Sequence, residues 1–137
     1  MVKPCAATSL CPCGQRNAKA QPLRHGDCCG RYLESDTPAP DAECLMRSRY
    51  SAFVLERESY LLATWHASHR PATIAFEPGV KWLGLEVRQY LPVDADNAEV
   101  EFVARQKPAG ASAVRLHERS RFVREGGRWL YLDGDLR

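Results

Sequence analysis

Residues 11 to 30, CPCGQRNAKAQPLRHGDCCG, carry four of the chain's six cysteines in two tight pairs, Cys11 with Cys13 and Cys28 with Cys29. No other feature restricts the fold so severely. The first 33 residues hold few large apolar side chains and cannot bury the surface that a self-standing core requires. Something other than hydrophobic burial must order them. Tetrahedral zinc takes four soft or borderline ligands at Zn–S distances of about 2.3 Å, and close cysteine pairs on turns are how short chains provide them. Pro12 restricts the backbone of the first turn and Gly14 frees it, while Gly30 reads as the point where the chain turns away after the second pair. Four protein ligands leave no open position for water, so the spacing predicts one structural Zn2+ per chain, held by Cys11, Cys13, Cys28 and Cys29. The residues alone leave two other readings: free thiols, or a vicinal disulfide between Cys28 and Cys29 with a redox role. His25 could substitute for a cysteine but reads as a loop side chain. Cys5 and Cys44 have no neighbour at metal-site spacing and read as reduced thiols.

At 137 residues the chain holds roughly one domain and a small appendage. No apolar run approaches the ~20 residues needed to span a bilayer, which argues against a membrane protein. Prolines and cysteines interrupt the opening MVKPCAATSLCPCG, unlike a secretory signal, and the expected compartment is the cytoplasm. There, paired thiols are more often metal ligands or redox centres than structural disulfides. The overall charge of +2 is uneven: residues 1–33 hold Lys3, Arg16, Lys19, Arg24 and Arg31 against Asp27 alone, a net +4. A basic module of this kind suits an acidic protein partner, although a zinc ion held by four thiolates carries −2 and part of the basic charge neutralises the site itself.

The stretch ESDTPAPDAE reads as a proline-rich linker ending where Asp41 caps a helix. Leu45, Met46, Tyr50, Phe53 and Val54, then Tyr60, Leu61 and Trp65, recur at helical spacing, so one long or two consecutive helices are expected between about residues 42 and 67, broken near ERES. The period then becomes two. KWLGLEVRQYL, AEVEFVARQ, AVRLHERSRFV and RWLYLD predict four strands joined by connections short enough for antiparallel pairing. Helices followed by a meander make an α+β domain. The expected organisation is a metal knuckle over 1–33, a linker over 34–41 and the α+β domain over 42–137, whose stripe and strands provide their own core.

CPCG followed by CCGRY resembles the SEC-C motif, a small zinc-binding element. LMRSRYSAFV, YLLATWH, WLGLEV, VEFVAR and HERSRFV…GRWLYLDG, in that order, resemble the YchJ family, so the likeness covers most of the chain. The resemblance implies a SEC-C knuckle followed by a cone-shaped nuclear transport factor 2-like domain, with N-terminal helices packed on a curved antiparallel sheet, an architecture used by enzymes and binding proteins alike. SEC-C elements elsewhere are associated with partner binding. The chain departs from the pattern in the fourteen residues between Cys13 and Cys28, a longer spacing than usual that reads as an enlarged hairpin loop. Loop closure costs rise slowly with length, so metal binding should survive.

Two charges fall on apolar faces. Arg49 lies on the helical stripe, and Glu118 shares a strand face with Leu116, Ser120 and Phe122. The simplest expectation is a buried Arg49–Glu118 ion pair that fixes helix on sheet; alternatively the pair lines a pocket with Tyr50 and His66 as further members. Trp65, Trp82 and Trp129 are expected in the core. On the opposite strand face, Arg115, His117, Arg119 and Arg121 read as a solvated row balanced by Glu99 and Glu101, and no nucleic-acid reader motif accompanies them. Two functions follow: a zinc-stabilised module binding a protein or a small ligand, without catalytic residues, or a small-molecule lyase or isomerase using the pocket, with Glu118 as base. An arginine partner would depress the carboxylate's pKa, which favours the binding module.

Overall fold

The computed structural model describes residues 3–137. A short 3-10 turn, His25–Asp27, leads into α1 (Gly30–Leu33), α2 (Ala42–Val54) and α3 (Glu58–Ala63). Four strands follow: β1 (Lys81–Asp94), β2 (Asn97–Lys107), β3 (Val114–Glu125) and β4 (Arg128–Leu136). The strands form one antiparallel sheet in the order β1-β2-β3-β4. Among the described residues no helix is long and apolar enough to cross a membrane.

Asp41 caps α2 as its sequence position predicts, its carboxylate accepting the Cys44 N–H at 2.7 Å. The helical stretch divides at Leu55–Arg57, where Glu56 takes a φ of 56°, and it ends at Ala63, so Trp65 lies beyond it. The chain there pairs with β4 instead: Tyr131 N–H donates to Thr64 O and His66 N–H to Tyr131 O, both at 2.8 Å. The backbone between the helices is tied to the N-terminal segment, Lys3 N–H donating to Leu55 O at 2.9 Å.

One sheet face is apolar. Ala98, Val100, Phe102 and Ala104 of β2 point to the helices and register with Phe122, Ser120, Glu118 and Leu116 of β3. A bulge opposite Arg121 and Phe122 leaves Leu132 of β4 without a partner on β3. It therefore aims both Tyr131 and Gly134 inward, opposite Phe122 and Ser120, and sends Asp133 and Asp135 to the outer face. There Arg121 bonds Asp133 and Asp135 at 2.5 and 2.8 Å, and His117 bonds Glu101 at 2.7 Å, so the basic row is matched by cross-strand acids.

α2 is buried along most of its circumference, Arg49, Ser48, Ser51 and Ala52 included. The sheet covers one side and the cysteine knuckle another, and the four knuckle cysteines belong to the same buried cluster as Leu45, Met46, Tyr50, Phe102 and Phe122. Trp129 is buried in this core, while Trp65 and Trp82 are only partly covered.

Candidate metal centre and ligand cavity

The first cysteine pair sits at the base of a β-hairpin. Cys11 N–H donates to Leu23 O, Leu23 N–H to Gln15 O and Asn17 N–H to Gln21 O, at 2.9 to 3.0 Å. The tip is closed by the Asn17 side chain, which accepts from Lys19 N–H and Gln21 N–H. The long spacing between the pairs is thus an ordered hairpin that returns the chain to Cys28 and Cys29 at the entry of α1. Gly30 differs from its expected role. It is the first helical residue of α1, and it is glycine because a Cβ there would strike the backbone and ring of His25.

Cys11, Cys13, Cys28 and Cys29 are all buried, with their sulfurs within 4.8 Å of one another, and Cys13 and Cys28 are 3.5 Å apart. All six cysteines are free of disulfides, so Cys28 and Cys29 are not bridged. Four thiolates around a zinc ion at 2.3 Å would stand about 3.8 Å apart, so the donor set fits a tetrahedral metal in number, softness and spacing. Proton sharing within the set makes the same point. Hydrogen bonds from Cys13, Cys28 and Cys29 hold the Cys11 thiol far below its ordinary pKa, while bonding to that same Cys11 sulfur pushes Cys28 and Cys29 far above theirs. The thiols cannot all ionise by themselves; a cation bound among them would permit it.

Several supports of this site carry no cysteine signal. His25 is wholly buried, with Nδ1 3.9 Å from Cys11 Sγ and Nε2 3.1 Å from Glu34 Oε2. Glu34 in turn receives both terminal nitrogens of Arg57, at 2.9 and 3.0 Å. His25 is therefore a second-layer group that orients Cys11. From α2, Ser51 Oγ lies 3.7 Å from Cys11 Sγ. Burial disfavours the charge of Arg47, yet Glu43 and Cys13 outweigh it and keep its pKa above the ordinary value.

The second candidate site is a cavity of about 290 Å³ between the helices and the sheet, with Arg49, Tyr50 and Glu118 among its lining residues. His66 is not among them. Trp65 and His66 are consecutive in an extended segment, so when Trp65 faces the cavity His66 faces out, where it bonds Glu125 and Ser68 at 2.7 Å each.

The expected direct Arg49–Glu118 pair is also corrected. Arg49 Nη1 donates to Leu61 O at 2.8 Å and to Thr64 Oγ1 at 2.7 Å, capturing a carbonyl in the last turn of α3 that has no intrahelical partner. Its guanidinium stands 5.0 Å from the Trp65 ring centre and 4.8 Å from that of Tyr131. Tyr131 occupies the place between the two charges: its ring meets Arg49 and its hydroxyl donates to Glu118 Oε2 at 3.0 Å, beside the Ser120 hydroxyl at 2.5 Å. Gly134 makes room for this carboxylate, since a Cβ there would overlap it. Burial lowers the Arg49 pKa to about 10, which leaves it cationic at neutral pH. Burial, followed by the Glu118 charge, drives the Tyr131 phenol well above its ordinary value, and burial raises Tyr50 to about 12. Both phenols remain protonated donors. Ser120 lies on the inner face as alternation predicts, whereas Tyr131 and Gly134 together are site residues that strand alternation alone does not single out.

Comparison with known proteins agrees with this arrangement. Residues 41–134 match the family model described as YchJ, middle NTF2-like domain. A UPF0225 protein of Polaromonas sp. (strain JS666 / ATCC BAA-500) is 69% identical over 129 residues, covering 93% of each chain. One from Bordetella parapertussis is 51% identical over 142 residues and the full length of both. A SEC-C motif containing protein from Psychrobacter arcticus, solved as a crystal structure, superimposes with a TM-score of 0.76 at 31% identity, covering 93% of this chain and 82% of that one. The solution structure of another, from Rhodopseudomonas palustris, gives 0.78 at 30%, covering 93% and 98%. With a four-cysteine knuckle closed against a helix-on-sheet domain that matches the family model over most of its length, the chain belongs to the YchJ family of UPF0225 proteins.

Proposed function

We propose that this protein is a small-ligand-binding protein, without catalytic residues, whose N-terminal module is locked in place by one structural zinc ion on Cys11, Cys13, Cys28 and Cys29. The observation that carries the reading is the cavity between the helices and the sheet, where a buried cation and a half-buried carboxylate face mainly aromatic walls. Convergent polar groups in an apolar concavity are the usual composition of a ligand site. Zinc is the metal the donor chemistry favours: four thiolates are soft, tetrahedral and closed, so the ion would supply stability and no open coordination position.

Binding is favoured over catalysis by how the carboxylate is held. Glu118 Oε2 accepts from two hydroxyls, so that oxygen is already engaged and not free to take a substrate proton. Tyr50 and Tyr131, with their raised pKa values, are poor proton sources near neutrality. The basic hairpin tip is where an acidic protein partner would dock on this reading, with Lys19 exposed there.

The test has two parts. Metal analysis of the reduced, purified chain should return one zinc per chain; less than half an equivalent would count against the zinc assignment. A fragment screen followed by amide and indole NMR should yield binders whose shifts cluster at Trp65, Trp82 and Tyr50. Turnover of any bound compound that Glu118→Gln abolishes would replace this reading with the lyase or isomerase alternative.

A further inference from the structure

We infer that the cavity takes a small organic anion, a carboxylate that meets Arg49 while its apolar body lies against Tyr50, Trp65 and Trp82. This rests on the ligand-binding function proposed above and adds the chemical class of the ligand.

The inference starts from an imbalance between the two charges of the cavity wall. Arg49 is 6% exposed, and among the described residues no carboxylate lies within ion-pair distance of it. Its Nη1 is bonded to two neutral acceptors, Leu61 O and Thr64 Oγ1. Nε and Nη2 have no acceptor among the described residues, although Arg49 is a lining residue of the cavity. The Trp65 and Tyr131 rings stabilise the cation through their faces, but ring faces accept none of the N–H groups in the guanidinium plane. Trp65 lines the same wall with its ring. The donors of a buried cation on a cavity wall are normally answered by an acceptor, and a ligand acceptor is the group that would meet them here.

Glu118 is in the opposite condition. Its Oε2 already accepts from two hydroxyls, whereas Arg49 has only neutral acceptors, and a cationic ligand drawn to the remaining carboxylate oxygen would enter against Arg49. Local electrostatics therefore favour an anion, held on the Arg49 side and away from Glu118. A carboxylate is the planar anion whose two oxygens match the guanidinium fork. The aromatic walls and the volume of about 290 Å³ call for an apolar remainder of modest size, at the lower end of the range for ligand pockets.

Three probes of nearly equal shape separate the possibilities: 2-naphthylacetate, its neutral amide, and 2-(2-naphthyl)ethylamine, titrated into the full 15N-labelled chain. The carboxylate should displace the Trp65 and Trp82 indole N–H resonances and bind at least tenfold more tightly than the amide, with the amine weakest. Glu118→Gln keeps an acceptor for Tyr131 and Ser120 while removing a like charge, so it should tighten carboxylate binding severalfold. Arg49→Lys should weaken it at least tenfold with the Trp129 indole resonance unmoved; if that variant fails to fold, Glu118→Gln decides alone. Tighter binding of the amine or the amide, or weakened carboxylate binding in Glu118→Gln, would overturn the anion assignment and leave the ligand-binding reading standing. No movement of the cavity resonances by any probe at millimolar concentration would overturn both.

Discussion

The knuckle and the sheet domain are built on opposite principles. In the knuckle the most deeply buried side chains are Cys13, Cys28, Cys29 and His25, all at or below 1% exposure. Polar and ionisable groups are burdens in any core, and their mutual bonding, with a cation where one binds, is what would make this one favourable. In the sheet domain Leu45, Leu61, Val100 and Phe122 fill the corresponding positions, and burial of apolar surface is the driving force. One helix serves both regions. α2 turns Ser51 toward Cys11 and Arg49 and Tyr50 toward the cavity, so the metal site braces the element that carries the candidate ligand-binding groups. The two regions should accordingly fail under different conditions.

Metal removal is the largest expected effect. Structural zinc sites contribute on the order of 10–16 kcal/mol of binding free energy at neutral pH, so a strong chelator, or Cys28→Ser combined with Cys29→Ser, should release residues 3–33. Hydrogen exchange would show lost protection in the hairpin and α1 while the central amides of β2 and β3 stay protected. Loss of sheet protection at the same chelator concentration would show a single cooperative unit and erase the contrast.

Truncation of the apolar core comes next. Phe122→Ala removes a side chain that is 2% exposed, in edge contact with Tyr131 at 5.7 Å. The expected loss is about 3–5 kcal/mol of stability by denaturant titration, with one equivalent of metal still bound to whatever remains folded. A smaller change is expected for Tyr131→Phe, which deletes one donor to Glu118 and leaves the ring beside Arg49, at a cost of about 1–3 kcal/mol. An unchanged unfolding midpoint for this variant would mean that the Glu118 carboxylate is not held by that hydroxyl.

These cases also separate what sequence can and cannot specify. The four-cysteine cluster was legible because the chemistry is local: two turns, two pairs, and a spacing that a hairpin closes. The helices and four strands were legible through their periods, and Glu118 was correctly placed on the inner face by alternation. What escaped depends on position across elements. On the pocket alternative His66 was a further member, but its extended backbone beside β4 gives that place to Trp65. The Arg49–Glu118 pair was expected from two charges on facing apolar surfaces. The β4 bulge aims Tyr131 and Gly134 inward together, so that a phenol stands between the charges and a glycine accommodates the carboxylate. Strict alternation would have turned Asp133 inward instead. His25 was read as a loop residue because nothing near it in sequence announces Glu34 as its partner, or Arg57 as the partner of Glu34.

The smallest predicted effect concerns that last network, which joins the knuckle to the junction between α2 and α3. Arg57, opposed by burial and assisted by His25, holds the Glu34 carboxyl below its ordinary pKa. A depressed folded-state pKa stabilises the protein above the unfolded value of about 4.3, and that contribution fades as pH falls through the lower folded value. Glu34 is 42% exposed, so screening by solvent limits the pair to under about 1 kcal/mol. Glu34→Gln should therefore cost that small amount at a constant level from pH 8 to about 5, with the gap to the unsubstituted chain closing in more acid solution. Acid also releases metal from the thiolates, but both chains share that loss and it cancels in their difference. A gap that widens on acidification would assign the dominant interaction of Glu34 to a group other than the Arg57 guanidinium.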